Sequence, residues 1–527
     1  SINDGKKLYT LGLKEELKIL KGLLRSRKIH DLSIASYILN PLKESYDYDD
    51  IARDYLGAAA ENRAELIGKK KLLDVLCAED PDERDRAARI AAYSAAVPLL
   101  AASSVMKELK AADCLKLYED IELPLIYTLD DMEKAGIRVD LSELNDYAAV
   151  LKDRIDSMER EIHDIAGEPF NINSPSQLAH ILFEKLGLPG GKKTKTGYST
   201  AADVLNKLAP DYPIVMKVLE YRKLMKLYST YAAGLPQFIS EDGRIHGHFN
   251  QTVTATGRIS STDPNLQNIP VRTAEGKELR KVFIPREGCI FLDADYSQVE
   301  LRILTAFSND EKLIDAYRHA EDIHRLTASQ VFHVPIEDVT PEMRRNAKAV
   351  NFGIVYGISA FGLGEGLSIS RKEAQEYIDG YFRTYPGVKE YLDGSVAFAK
   401  EHGYARTYFG RRRPIPELRS SNFMQRSFGE RAAMNSPIQG TAADVMKIAM
   451  NSVNMKLSGL DKDGNVCGKC YKSRIVLQVH DELLIEVEPD ELSEVKELVR
   501  DCMESALKTR VPLSCDINVG DNWYDCH

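Results

Sequence analysis

The spacing of apolar and polar residues changes along the chain, and these changes predict its organisation. Residues 1 to about 115 mix short apolar runs with Ala- and Leu-rich helical stretches. Residues from about 116 to 240 have the spacing of long amphipathic helices, such as Leu141 to Ile165, interrupted by the polar loop Gly190–Gly197. From about 241 strands mix with helices, a helical stretch occupies about 308 to 415, and the mixed pattern then returns. A mixed α/β (α+β) unit with a helical insertion is expected.

Length and composition indicate an ordinary globular protein of several domains. The chain has 527 residues, of which 28% are charged and 44% hydrophobic. We find neither an apolar run near the ~18 residues of a spanning helix nor a secretory signal, so we expect a cytosolic protein without a membrane partner. The eight cysteines are mostly scattered, as in a reduced compartment. Cys467 and Cys470 form a lone CxxC, which favours a surface loop with two free thiols over a zinc site.

The net charge of −10 argues against a nucleic-acid partner only if the charges are evenly spread. Basic residues cluster instead, in Arg406 with Arg411–Arg413, in Lys192–Lys195, and between Arg272 and Lys281. Because binding depends on where charges lie, composition leaves the question open and the motifs must answer it.

Acidic residues lie where two apolar strands end. Ile475–Val487 has two apolar runs separated by His480-Asp481-Glu482, which predicts a β-hairpin with acids at its tip. Asp295 closes another apolar strand, with Asp293 on the same face. Buried carboxylates are costly without partners, so these positions indicate a metal site or ion pairs. A polar β-turn would also explain the hairpin tip alone.

A helix is predicted between Thr340-Pro341, a typical helix start, and Gly357. One arc of about 120° carries two cations followed by two aromatic residues, namely Arg344, Lys348, Phe352 and Tyr356. A second arc is suited to packing inward and consists of Met343, Ala347, Val350 and Ile354. The alternative is an amphipathic helix with solvated cations, but a solvated face would be polar throughout.

These three blocks resemble motifs A, B and C of family A DNA polymerases. The resemblance covers nearly the whole chain, including Asn171–Leu178 and Trp523–Asp525. It implies a right-hand fold in which residues 116–240 form the thumb, 241–307 and 416–527 the palm, and 308–415 the fingers. Residues 1–115 would be a degenerate, truncated 3′–5′ exonuclease-like domain of the ribonuclease H type. The implied activity is DNA-templated addition of dNTPs to a primer, in replication or repair, by a monomer in the bacterial cytosol.

The resemblance also implies the roles of single residues. Asp295, Asp481 and the backbone of Tyr296 would hold two Mg²⁺ ions, which Mn²⁺ can replace, while Glu482 assists. The nucleotide would be bound by Arg344, Lys348, Phe352, Tyr356, His324, Glu300 and Gln298. Lys348 would protonate the pyrophosphate, and Glu300 would exclude a 2′-hydroxyl. Glu300 also has a structural interpretation, because Ser297 three residues earlier completes a capping-box pattern.

Contacts with DNA are implied for a block between Thr254 and Arg272 that is rich in short polar side chains. Such groups suit phosphates and the minor groove, whose acceptors all base pairs share. The alternative is a turn-rich loop held by its own hydrogen bonds. Arg431, Asn435 and Gln439 recur at four-residue spacing, but Pro437 is expected to disturb the helix that carries them. The implied contacts are Arg258, Asn265, Gln267, Asn268, Arg272, Arg431, Asn435, Gln439 and His480.

The N-terminal region lacks most of a nuclease site. Asp31 matches one metal-binding acid, the family's DxE strand would lie before Ser1, and Tyr93–Val97 has Val where a final Asp belongs. A single carboxylate cannot hold two cations, so we predict no proofreading.

Two other functions compete with DNA synthesis. A single-subunit RNA polymerase shares the acidic and cationic elements, but Glu300 and Phe352 argue against it, since such an enzyme needs no gate against ribose. A catalytically inert DNA-binding homologue would not need Asp295, Lys348 and Asp481.

Overall fold

The computed structural model describes residues 6–19, 25–189, 193–194, 197–270, 273–319 and 321–527. Arg272, one of the implied DNA contacts, lies outside the described residues. Among those described, the strands β1 to β15 are Leu8–Thr10, Ile29–Asp31, Ile137–Val139, Lys193–Thr194, Gly197–Tyr198, Arg244–Ile245, His248–Asn250, Ser260–Thr262, Phe283–Ile284, Ile290–Tyr296, Tyr404–Arg406, Arg412–Pro414, Arg474–Val479, Glu482–Val487 and Cys515–Gly520.

The helices α1 to α22 confirm the predicted helical stretches. They are Leu13–Ile19, Leu32–Leu39, Tyr48–Ile51, Arg63–Ile67, Leu72–Leu76, Pro81–Ala111, Leu115–Leu117, Leu123–Ala135, Leu141–Ala166, Pro175–Ala179, Ala202–Leu208, Pro213–Leu227, Ala274–Leu279, Val299–Ser308, Glu311–Arg318, Ile323–Phe332, Pro341–Val355, Ala360–Leu367, Arg371–Thr384, Pro386–His402, Phe423–Ser458 and Leu492–Glu504. Short 3-10 and π-helical turns join several of them.

The chain divides into two compact units. The first comprises residues 1–135, 248–262 and 288–519, and the second comprises 136–247, 263–287 and 520–527. This division groups the N-terminal region with the acidic strands. The finer assignment to thumb, palm and fingers stays a prediction.

A four-stranded sheet of order β13-β14-β10-β15 forms the centre of the first unit. In β10 every residue from Phe291 to Ala294 is buried, and Asp295 is the exposed residue near its end. Burial on both faces explains why this strand reads as a continuous apolar run. Helices α21 and α22 pack against each other, with α21 contacting β13 and α22 contacting β10. The sheet is therefore a rigid support for the residues at its strand ends.

Helix α6 is the core helix of the N-terminal region, where β1 and β2 pair in parallel. Its buried side chains include Ile90, Val97, Ala101 and Val105. By length and composition α6 could cross a membrane, so our expectation that no stretch approached that length was wrong. A core helix passes the same test, and α6 contacts α2 and α3 in this core.

The second unit is built on its own sheet, of order β6-β3-β9, beside the paired helices α9 and α12. Trp523 is fully buried there, and the guanidinium of Arg280 lies 4.1 Å from the centre of its ring. The C-terminal residues thus belong to the core of this unit.

Candidate active site

The hairpin and β10 bring the predicted acids to one place. β13 and β14 pair with Val479 opposite Glu482, so His480 and Asp481 form a two-residue turn, as the sequence predicted. Strand β10 pairs with β14 so that Asp295 lies opposite Glu482. The amide of Tyr296 donates a 3.1 Å hydrogen bond to the carbonyl oxygen of Asp481. Backbone pairing therefore fixes Asp295, Asp481 and Glu482 as neighbours.

These acids repel one another. Partial burial of the carboxylate raises the pKa of Asp295 to about 7, and the charges of Asp481, Glu482 and Asp516 add to that rise. The pKa of Asp481 rises to about 6 by burial and by the charge of Glu300. Asp516, on the neighbouring strand β15, was missed by the sequence argument, because a single acid in a short strand carries no motif. A cluster of like charges that still faces solvent is suited to binding a cation.

Glu300 is buried at 7% exposure and is held by two donors. Arg258 Nη2 binds its Oε1 at 2.8 Å, and the Tyr356 hydroxyl donates to its Oε2 at 2.7 Å. The capping box expected from Ser297 is absent, because α14 begins after Gln298, whose φ of +54° turns the chain and whose side chain makes no cap bond. Glu300 is thus part of the site and does not cap the helix.

Helix α17 has the predicted start and stop. The Thr340 side chain accepts from the amide of Met343, and the helix ends at Val355 before Gly357, whose φ is +64°. The inward arc packs as expected at Ala347, Val350 and Ile354, while Met343 is half-buried. Of the outer arc, Arg344, Lys348 and Tyr356 are exposed and Phe352 is half-buried.

Two side-chain pairings of the implied nucleotide-binding residues, Arg344 of α17 and Gln298 before α14, were not foreseen. Arg344 Nε binds Asp322 Oδ2 at 2.7 Å, and the same carboxylate caps α16 through the amide of His324. The Tyr317 hydroxyl donates to Gln298 Oε1 at 3.1 Å. Both join residues distant in sequence that no motif connects.

His324 is 3% exposed, and its ring centre lies 5.8 Å from that of Phe352. The side-chain nitrogen of Asn351 lies 2.9 Å from its Nδ1. Burial and then the charge of Lys348 lower the pKa of His324 to about 4. The imidazole is therefore neutral at pH 7 before a nucleotide binds.

A small cavity of about 40 Å³ lies against several of these groups. Arg258, Glu300, His480 and Asp481 line it together with the buried Lys447. Arg258 follows Gly257, whose φ of +87° favours glycine, and the Thr254 hydroxyl donates to the Arg258 carbonyl oxygen at 2.7 Å. The loop that carries Arg258 is thus both a self-bonded turn and a wall of the site.

Helix α21 runs unbroken through Pro437, so the expected disturbance was wrong. Arg431, Asn435 and Gln439 consequently share one face at four-residue spacing. Arg431 lies against the end of α17, since a Cβ on Gly357 would stand 3.1 Å from its Cγ. This face of α21 adjoins the outer arc of α17.

The remaining implied DNA contacts lie in the second unit. Asn265 precedes a 3-10 turn from Leu266 to Asn268, with Asn265 and Asn268 exposed and Gln267 buried at 9% exposure. The structure does not bring these three together with the acids in one compact unit.

The profile of DNA polymerase family A matches residues 141–525. The chain belongs to this family. DNA polymerase I of Caldicellulosiruptor bescii is 48% identical over 500 residues, covering 95% of this chain and 55% of the relative. DNA polymerase I of Bacillus subtilis is 45% identical over 527 residues, covering 99% of this chain and 58% of the relative. The chain thus spans about half the length of the curated relatives it matches.

A solved structure is also similar. The POL domain of Pol1 from M. smegmatis, in complex with DNA primer-template and dNTP, aligns with a TM-score of 0.83 at 40% identity. The alignment covers 94% of this chain and 82% of that chain. The mixed α/β polymerase fold is confirmed, while the nuclease-like character of residues 1–115 stays a prediction.

Proposed function

We propose that this protein is a DNA-templated DNA polymerase that extends a primer with dNTPs and releases pyrophosphate. The observation that carries the proposal is the acid cluster of β10 and the hairpin tip, which lies beside Glu300 in one cavity, with Glu300 bound in turn by Tyr356 at the end of α17. The M. smegmatis domain was solved with primer-template and dNTP, which supports the same partners here. We further propose a monomer that works in the bacterial cytosol.

Divalent cations fit the acid cluster. Burial, and then the charges of neighbouring carboxylates, raise the pKa of Asp295 and Asp481, and a dication relieves that repulsion. Asp295, Asp481 and the Tyr296 backbone would hold Mg²⁺, or Mn²⁺ in its place, because hard cations prefer oxygen ligands; Glu482 assists. When bound, two such ions activate the primer 3′-hydroxyl and neutralise charge on the triphosphate.

Helix α17 supplies the groups that bind the nucleotide. Exposed Arg344 and Lys348 attract the triphosphate, and Arg344 exchanges Asp322 for a phosphate. Lys348 gives a proton to the departing pyrophosphate. His324, neutral and buried, adds an N–H donor without charge. Phe352 lies against the sugar and base, while Glu300 and Gln298 lie below the sugar and Tyr356 closes the templating position.

Several elements supply the primer-template contacts. Arg258, His480 and the face of α21 with Arg431, Asn435 and Gln439 contact DNA near the acids. Asn265, Gln267 and Asn268 add polar donors from the second unit. Short polar groups suit the minor groove, which a polymerase must read without preference for sequence.

Primer extension on a DNA template with Mg²⁺ tests this function. We expect extension with dNTPs and very little with rNTPs. Efficient extension with rNTPs would favour the RNA polymerase alternative, and DNA binding without any extension would favour the inert homologue.

Phe352→Tyr should relax discrimination against dideoxynucleotides. The added hydroxyl supplies a hydrogen bond that the analogue cannot make at its own 3′ position, on the order of a tenfold effect. Chain-termination ratios measure it, with Phe361→Tyr, an exposed ring on α18, as the matched control. An unchanged ratio would mean that Phe352 does not face the sugar.

We predict that the N-terminal region has no proofreading activity. Asp31, its one matching acid, already accepts from the amides of Leu13, Ser33 and Ile34, and Val97 is 5% exposed in the core. Incubation with a mismatched primer and Mg²⁺, without nucleotides, should leave that primer intact. The prediction would be contradicted if the wild-type protein shortened the primer and the Asp31→Ala variant did not.

Val97→Asp should restore no nuclease and should destabilise the region. An unpaired charge at a buried position costs roughly 3–5 kcal/mol. Leu99→Asp, on the same helix at 64% exposure, is the control and should change the melting temperature little. Equal melting temperatures of the two variants would disprove the buried placement of Val97.

A further inference from the structure

The active-site loop, residues 251–259 between β7 and β8, is held by the N-terminal region. We propose that Tyr37 of that region is a positioning residue for the polymerase reaction and acts through Arg258. This inference rests on the proposed function. It assigns the nuclease-like region a role in nucleotide selection that needs no nuclease chemistry.

A chain of four hydrogen bonds leads from Tyr37 to the end of α17. The Tyr37 hydroxyl donates to the Thr254 carbonyl oxygen at 2.7 Å, and the Thr254 hydroxyl donates to the Arg258 carbonyl oxygen at 2.7 Å. Arg258 then binds Glu300 at 2.8 Å, and Tyr356 binds the same carboxylate at 2.7 Å. Each bond ends on a residue from which the next bond starts.

Tyr37 is a rigid anchor. Its side chain is fully buried, and its ring packs edge-on against Tyr46 with centres 5.8 Å apart. It lies on α2, which Asp31 caps through the amides of Ser33 and Ile34. The acid that matches the nuclease motif therefore orients the helix that carries the anchor.

Other contacts hold this loop and the strand β7 that precedes it. Lys14 Nζ donates to the Phe249 carbonyl oxygen at 2.6 Å, and Gln251 Nε2 donates to Glu122 Oε2 at 2.8 Å. A Cβ on Gly257 would stand 2.4 Å from Arg411 Nε, so the loop lies directly on that side chain. The loop conformation thus depends on side chains outside the sheet.

Beneath the loop lies a buried ion cluster, defined as Glu122, Arg411, Asp444 and Lys447. All four are at most 2% exposed; Lys447 Nζ lies 2.6 Å from Glu122, and Arg411 Nη2 lies 2.6 Å from Asp444. Burial alone would raise the pKa of Glu122, but Lys447 and Arg411 lower it to about 2. Glu122 is therefore charged, its ion pairs fix the floor under the loop, and the Tyr37 hydroxyl binds the loop that lies on this floor.

Tyr37→Phe tests the proposal, because it removes one hydroxyl and keeps the ring. Tyr48→Phe is the matched control: Tyr48 is equally buried in the same core and donates to the Glu61 carbonyl oxygen at 2.8 Å, away from the loop. We expect similar small losses of melting temperature in both. Only Tyr37→Phe should lower kcat/KM for dNTPs and the preference for dNTPs over rNTPs, each roughly three- to tenfold, the scale of one hydrogen bond.

A double-variant cycle identifies the route. On an Arg258→Ala background, Tyr37→Phe should cause no further loss of dNTP preference, because the residue it positions is gone. Wild-type kinetics in Tyr37→Phe, the same kinetic loss in Tyr48→Phe, or a full loss on the Arg258→Ala background would each overturn the inference. If the wild-type protein fails to extend a primer, the proposed function itself fails.

Discussion

Asp295→Asn and Asp481→Asn should each reduce primer extension on the order of a thousandfold or more, while DNA binding persists. Each change replaces a charged oxygen ligand of Mg²⁺ with a neutral amide, and the backbone pairing that positions the residue is unaffected. Single-turnover extension with excess DNA measures the loss, and fluorescence anisotropy of labelled primer-template measures binding.

Asp293→Asn is the control, since Asp293 lies two residues away on the same strand without an assigned role. The melting temperatures of Asp293→Asn and of the wild type should be compared first, because the Asp293 side chain is buried, at 1% exposure. Near wild-type turnover in Asp295→Asn or Asp481→Asn would remove that residue from the catalytic site.

Asp295→Asn should also change the stability of the fold. The pKa of Asp295 is raised in the folded chain, so its contribution to the free energy of unfolding is complete below pH 3.8 and is lost as pH rises through about 7. Without Mg²⁺ at pH 8, Asp295→Asn should therefore be more stable than the wild type. Because the side chain is exposed to solvent, screening limits the gain to about 1 kcal/mol or less. Thermal melts at pH 4 and 8 measure it, and a gain independent of pH would contradict the assignment.

Glu300→Ala should admit ribonucleotides, with a loss of sugar selectivity on the order of 10- to 200-fold, the range for one steric contact in a pocket. The change opens space below the sugar and leaves Arg258 and Tyr356 without their shared acceptor. Competition between each dNTP and its rNTP measures the ratio.

Glu300→Gln keeps the side-chain volume and serves as the control, which should retain most of the selectivity. Unchanged selectivity in Glu300→Ala together with a lower melting temperature would leave Glu300 a purely structural residue. Loss of a helix cap cannot explain such a fall, since α14 has no side-chain cap.

Local patterns predicted the elements that local physics determines. The hairpin follows from two apolar runs around a polar tip, and α17 follows from Thr340-Pro341 and Gly357. The roles of single residues in these elements were inferred from the resemblance to family A, because residue spacing alone does not assign them. The metal ligands and DNA contacts among them remain predictions.

Local sequence patterns did not predict three features of the structure, because these features depend on the packing of the whole fold. Pro437 lacks one helix donor, yet the packing of a 36-residue helix keeps α21 continuous. The positive φ of Gln298 moves the start of α14 and removes the expected capping box. The bond from Tyr37 to Thr254 crosses 217 positions and leaves no local trace.

The buried ion cluster limits how this chain can change by mutation. Its two acids and two bases balance, so replacing any single member leaves one charge uncompensated away from water. Viable substitutions must therefore arrive in pairs of opposite sign, or as like-for-like exchanges that fit the same space. In a mutational scan we expect neutral substitutions of Glu122 or Lys447 alone to destabilise the fold. Neutral substitution of both residues together should restore part of that stability.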